Sequence, residues 1–110
     1  MPLPKDEKDS GGFEDILKDA IATFGKDLQM VVAIEEMTEL TKVITKVLRY
    51  GMKNHYRNDA KEEIADVMIM LLQLMQMFEL SEDDIAESMS VKIKRLQGDI
   101  LRRKERVSQT

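Results

Sequence analysis

The chain has 110 residues, the length of one ordinary domain. Its 17 basic and 21 acidic side chains give a net charge of −4, so bulk electrostatic attraction to nucleic acid is not expected. The absence of cysteine excludes a disulfide framework and a thiolate metal site, which suits a cytoplasmic protein. With few aromatic residues and no tryptophan, the composition favours helices over strands.

The N-terminal segment predicts no regular structure. Residues 1–12 contain both prolines and two adjacent glycines, and they lack the apolar stretch of a signal peptide. We therefore expect a disordered leader at 1–12. Apolar side chains then recur at helical spacing from Phe13 to Phe24, and Gly25 follows as a stop signal.

Two long helices are predicted in the middle of the chain. The second helix should run from about Asp27 to Tyr50, with Gly51 in the left-handed position after its end. A polar and aromatic loop is expected at 52–58. The third helix should begin near Asp59, which forms a capping pattern with Glu62, and should end at about residue 79.

The third predicted helix is apolar on almost all sides from Ile64 to Phe78. It is too short for a membrane span and is interrupted by Asp66, so no membrane partner is expected. A small domain can hardly surround such a helix by itself. We therefore expect oligomerisation through the central helices.

A fourth helix is predicted after the capping pattern that Ser81 and Asp84 form. The sequence thus predicts an all-α fold, a four- to five-helix bundle in a single domain over 13–104. A frayed tail is expected at 105–110.

Two acidic pairs lie within these apolar segments. Glu36 and Glu39 share one face of the second helix, and Glu63 and Asp66 share one face of the third. Each pair either lies on a solvated or ion-paired face or forms part of a cation site. The cation site is favoured, because the negative charge of a carboxylate among apolar neighbours needs an opposite charge nearby. Four converging carboxylates suit Mg²⁺, with Mn²⁺ as the other candidate.

Two groups of basic residues are candidates for substrate contacts. Lys92 and Arg95 share a face of the fourth helix, in a segment of net charge +5, and are either a phosphate grip or a solvated face. Three loop residues are either a polar connector or contacts to a base or phosphate: Lys53, His55 and Arg57.

In these motifs the chain resembles the MazG-like all-α nucleoside triphosphate pyrophosphatases. The resemblance rests on residues 35–40 on one helix, residues 62–67 on the next, and a closing basic motif at Lys92 and Arg95. It covers most of the chain, from about Leu28 to Leu96. The compact form is similar to phage or prophage members of that family.

The resemblance implies hydrolysis of a (d)NTP to the monophosphate and pyrophosphate, a reaction used in nucleotide-pool housecleaning. It implies that Mg²⁺ is held by Glu36, Glu39, Glu63 and Asp66, with Glu35 as a further ligand, as a group that supports the ligands, or as the base that orients water. It also implies a homo-dimer or homo-tetramer. The alternative is a non-catalytic nucleotide-sensing or structural oligomer with the same fold.

Overall fold

The computed structural model describes residues 12–109, and every regular element in this part of the chain is an α-helix. Four helices follow one another: α1 (Gly12–Phe24), α2 (Lys26–Tyr50), α3 (Asn54–Met77) and α4 (Glu82–Ser108). The predicted all-α class is confirmed. The predicted leader lies outside the described residues, apart from Gly12, with which α1 begins.

The described chain separates into two compact units, one over 12–79 and one over 80–109. In the first unit, α2 and α3 make the most extensive contact, and α1 packs against both. Since only residues 51–53 connect α2 to α3, the two helices run antiparallel as a helical hairpin. The second unit contains α4. The single domain over 13–104 stays a prediction.

Three predicted helix boundaries are confirmed. Gly25 and Gly51 have φ values of 92° and 90°, a left-handed backbone that suits glycine, and Gly51 N–H donates to Val47 O at 2.8 Å. At the start of α4, Asp84 N–H donates to Ser81 Oγ at 3.1 Å, and Ser81 N–H donates to Asp84 Oδ2 at 2.9 Å. These bonds form the predicted capping box and lower the pKa of Asp84.

The predicted start of α3 is wrong. The helix begins at Asn54, so Asp59 lies inside it and the loop covers 51–53 rather than 52–58. The helix begins before the Asp59 capping pattern, because Arg57 N–H already donates to Lys53 O at 2.9 Å and closes an earlier helical turn. The ring of Tyr56 also stacks on that of Tyr50 across the connection, with centroids 6.4 Å apart, which favours the earlier start.

The fourth helix continues as far as Ser108, through most of the segment predicted to fray. None of the helices in the described residues has by itself both the length and the apolar composition of a membrane span. Only α3 and α4 considered as a broken pair reach that combination.

A small core holds the first unit together. Its buried apolar side chains come from all three helices: Leu17, Ala33, Val43, Met70 and Met77. A buried polar contact lies among them, in which Gln29 Nε2 donates to Gln73 Oε1 at 2.7 Å. This bond joins α2 to α3 and favours the observed register of the hairpin, because separating the two side chains within the core leaves buried amides unpaired.

Candidate metal centre

Three carboxylates from α2 and α3 meet on the hairpin. One carboxylate oxygen each of Glu36, Glu63 and Asp66 lies within 4.8 Å of the other two. Glu36 and Glu63 are half-buried, whereas Asp66 is exposed. The structure therefore brings together three of the four predicted metal ligands on one side of the hairpin.

Local helix geometry and the hairpin register together build this group. Glu63 and Asp66 are three residues apart, so one turn of α3 places both on the same face. Glu36 comes from the antiparallel α2, and the Gln29–Gln73 bond ties that helix to α3. Since the three acids are on elements that pack against each other, they are preorganised in the fold rather than collected by a flexible loop.

The electrostatics of the group disfavour three negative charges. Partial burial raises the pKa of the Glu36 carboxyl above its ordinary value of 4.5, and the nearby charges of Asp66 and Glu63 raise it further. Hydrogen bonds to these two carboxylates act in the same direction, since they need a proton on Glu36. The group therefore favours binding of a positive species, either a proton or a cation.

One oxygen of the group has no hydrogen-bond donor when all three carboxylates are ionised. Glu63 Oε2 is buried and accepts no hydrogen bond from any residue that the structure describes. A buried, unpaired charged oxygen is expensive, and such atoms are rare in folded proteins. An ion coordinated by this oxygen would remove the penalty.

The donor set fits a hard divalent cation. All three donors are carboxylate oxygens, the ligands that Mg²⁺ and Mn²⁺ prefer. In an octahedral Mg²⁺ site adjacent ligand oxygens are about 3 Å apart and opposite ones about 4.2 Å apart, so oxygens that now lie within 4.8 Å of one another must move closer by side-chain rotation to share one ion. Three protein oxygens leave further coordination positions for water or substrate.

The other two acids predicted for this site lie outside the group. Glu35 is exposed on α2. Glu39 is also exposed, and its Oε1 accepts from Lys42 Nζ at 3.2 Å. An exposed pair of this kind contributes only about 0.3–0.5 kcal/mol, so it does not hold the Glu39 side chain firmly in place.

The loop candidates lie at the tip of the hairpin rather than beside the carboxylates. Lys53 precedes α3, and His55 and Arg57 are in its first turns. Arg57 is six residues before Glu63, which is a rise of about 9 Å along the helix axis. The His55 ring lies 4.1 Å from that of Tyr56, so it belongs to an aromatic group at this tip.

The remaining candidates, Lys92 and Arg95, are on α4 in the second unit. Both are exposed, and their spacing places them on one face of that helix, as predicted. Their charges are thus available for an anionic ligand.

Comparison with known proteins gives no match to a family model, a curated protein or a solved structure. The site is therefore interpreted from its own residues. Sequence reasoning missed Gln29 and Gln73, which support the site from the hairpin core. No local pattern distinguishes these glutamines from surface ones, although both lie in apolar surroundings.

Proposed function

We propose that this protein is a Mg²⁺-dependent nucleoside triphosphate pyrophosphohydrolase that converts a (d)NTP to the monophosphate and pyrophosphate. The observation that carries the proposal is the three-carboxylate group with its buried, unpaired Glu63 oxygen. The resemblance of the two acidic motifs to MazG-like enzymes adds the substrate class. Mn²⁺ is the second cation that this donor set would accept.

In this proposal Glu36, Glu63 and Asp66 hold the cation, with Glu39 as the fourth ligand after it turns away from Lys42. A bound divalent cation supplies charge neutralisation for the phosphate chain and lowers the pKa of a coordinated water. The carboxylates fix its position on two packed helices, so that little reorganisation is needed when charge develops. Glu35, one residue before Glu36, is the candidate base that takes a proton from the attacking water.

Basic side chains complete the proposed substrate site. Lys92 and Arg95, from the same or a neighbouring subunit, contact the phosphate chain, with Arg95 offering a two-pronged donor and Lys92 a point charge. A positive segment of this kind would draw a triphosphate toward a site that is otherwise acidic. Lys53, His55 and Arg57 are the candidates for contacts farther along the nucleotide.

We further propose that the active protein is a homo-dimer or homo-tetramer. Supporting this, α3 exposes large apolar side chains that a second subunit would cover: Ile64, Ile69 and Leu71 are 44%, 45% and 47% exposed. Large apolar side chains left exposed on a helix are typical of interfaces between subunits.

A panel of canonical and modified (d)NTPs with Mg²⁺, scored for pyrophosphate release, tests the function. We expect turnover of at least one member, lost in Glu36→Gln and Asp66→Asn. The matched control is Glu62→Gln, the same change at an exposed position beside Glu63 and outside the group. Cation binding without turnover of any member would instead indicate a nucleotide-sensing protein. The absence of both would indicate a structural oligomer.

A further inference from the structure

Helix α4 carries a repeat that the proposed function does not use. Its apolar residues alternate at intervals of three and four over residues 86–107, the spacing of a heptad repeat in which positions a and d form one seam. Position a is occupied by Ala86, Ile93, Ile100 and Val107, and position d by Met89, Leu96 and Arg103.

This seam is exposed on the helix. Met89, Ile93 and Leu96 are 56%, 58% and 52% exposed, and Ile100 is 45% exposed. No residue of α4 is buried. A regular apolar stripe along three heptads that its own unit does not bury predicts a partner with the same periodicity, since knobs on one helix need holes at matching intervals on the other.

We propose that α4 pairs with α4 of a second copy of this chain, as a parallel, in-register, two-stranded coiled coil over 86–107. The types of residue at the seam argue for this arrangement. The a positions Ile93 and Ile100 are β-branched, and the d position Leu96 is not. That combination favours two parallel strands over other numbers of strands.

The flanking charges agree with the parallel arrangement. In a parallel pair, Asp99 at position g of one copy faces Lys104 at position e of the other, an attractive contact made twice. A fully overlapped antiparallel pair would instead set Asp99 against its own counterpart. It would also set Lys92 against Arg106 on the same flank, so this flank would repel at every contact.

Asp99 has an intrahelical partner as well, because its Oδ1 accepts from Arg102 on the same helix. Both side chains of that pair are more than half exposed, so the pair is weak, and a carboxylate has room for a second donor. The pairing with Arg102 is therefore compatible with Lys104 of the other copy approaching the same carboxylate.

Arg103 is the one charged residue at the seam. It lies near the C-terminal end of the repeat, where a long side chain can place its guanidinium in water beside the seam. Two arginines facing each other weaken the pair, so the association is reversible rather than permanent. Replacing this residue by leucine should strengthen the pair.

Cysteine crosslinking of the full chain tests the orientation, because the chain has no cysteine of its own. Met89→Cys lies at the seam, and Val91→Cys lies two residues away at position f on the outer face. Equal positions meet across a parallel pair, whereas the two copies of residue 89 would be about 27 Å apart in the antiparallel one. We expect Met89→Cys to form a disulfide-linked dimer at least ten times faster than Val91→Cys. Equal rates would overturn the proposal.

Particle mass in solution gives an independent readout that needs neither nucleotide nor metal. Ile93→Glu should halve the mass measured by light scattering, whereas Val91→Glu, the same change on the outer face, should leave it unchanged. Arg103→Leu should lower the concentration at which the assembly dissociates by at least tenfold. An unchanged mass in Ile93→Glu would overturn the proposal, because the apolar stripe would then not hold two copies together.

Discussion

Gln29 and Gln73 form a buried hydrogen bond of 2.7 Å between α2 and α3, with both side chains less than a tenth exposed. The bond lies in the same hairpin contact that brings Glu36 to Glu63 and Asp66. A polar pair in an apolar contact contributes little net stability but penalises every register that separates its members. It therefore links the fold of the hairpin to the assembly of the carboxylate group.

We expect Gln73→Leu to lower the free energy of unfolding by about 1–3 kcal/mol, because it leaves the Gln29 amide buried without its partner. The double variant Gln29→Leu/Gln73→Leu should recover most of that loss, since both buried polar groups are then gone. Urea unfolding of the two single variants and the double variant measures the coupling. Additive losses would show that the bond does not link the two helices energetically.

The stability of the metal-free protein should depend on the protonation of Glu36. Because its pKa is raised above 4.5 in the folded state, the native protein binds more protons than the unfolded chain from about that pH up to the raised pKa. Stability should therefore fall as the pH rises through this window and should level off above it. Asp66 and Glu63 are the acids that face Glu36 and cause part of the shift.

Urea unfolding in EDTA across this pH range, with wild type and Glu36→Gln compared, measures the effect. The variant cannot ionise at this position, so its free energy of unfolding should decline less steeply with pH than that of the wild type. At neutral pH the variant should therefore be the more stable of the two proteins. Glu62→Gln is the control and should keep the wild-type slope. Identical slopes in wild type and Glu36→Gln would mean that this carboxyl does not titrate abnormally.

The sequence predicted helix ends wherever a local signal was decisive. Gly25, Gly51 and the Ser81–Asp84 capping box act within one turn of the backbone, so their effect is visible in a short window. The start of α3 was missed because the Asp59 pattern masked the earlier backbone bonding, and the supporting contact between Tyr50 and Tyr56 lies across the connection. The same limit applies to the Gln29–Gln73 pair, whose members are 44 residues apart.

The site was predictable in part for the same reason. The spacing of Glu63 and Asp66 fixes their common face, and the apolar surroundings of Glu36 indicate that it points toward the hairpin. Which oxygens meet depends on how α2 is rotated against α3, and local spacing does not determine that rotation. Glu39 has the same helical spacing from Glu36, yet its side chain pairs with Lys42.

We expect Glu39→Gln to weaken Mg²⁺ binding at least tenfold, and Lys42→Met to leave it unchanged or to strengthen it. The Glu39–Lys42 pair is exposed and worth about 0.3–0.5 kcal/mol, which a divalent cation readily displaces. The rise in melting temperature with added Mg²⁺ measures both variants, since ligand at a hundredfold excess over Kd contributes about 2.7 kcal/mol. A wild-type response of Glu39→Gln would restrict the centre to the three grouped carboxylates.

The exposed apolar side chains of α3 lead to a prediction about assembly. Leu71→Glu places a charge on a side chain that is 47% exposed, so it should disrupt a subunit interface without opening the core. We expect the particle mass to fall by half, while Lys61→Glu, at an exposed position of the same helix, leaves it unchanged. If α3 and α4 each form an interface, the wild type is a tetramer and either disruption alone gives a dimer. A monomeric wild type at micromolar concentration would contradict the assembly.

The grip on the phosphate chain is tested on α4. Arg95→Ala should lower kcat/KM by at least tenfold, about 1.4 kcal/mol of lost transition-state stabilisation, because it removes a two-pronged donor to phosphate. Arg95→Lys keeps the positive charge but loses the two-pronged donor, so its kcat/KM should lie between those of the wild type and Arg95→Ala. Lys94→Ala is the matched control, since Lys94 is adjacent to Arg95 and has the same sign of charge but lies on a different face of the helix. Equal losses in Arg95→Ala and Lys94→Ala would mean that the segment acts only through its overall charge, and the phosphate contacts would then be sought at Lys53 and Arg57.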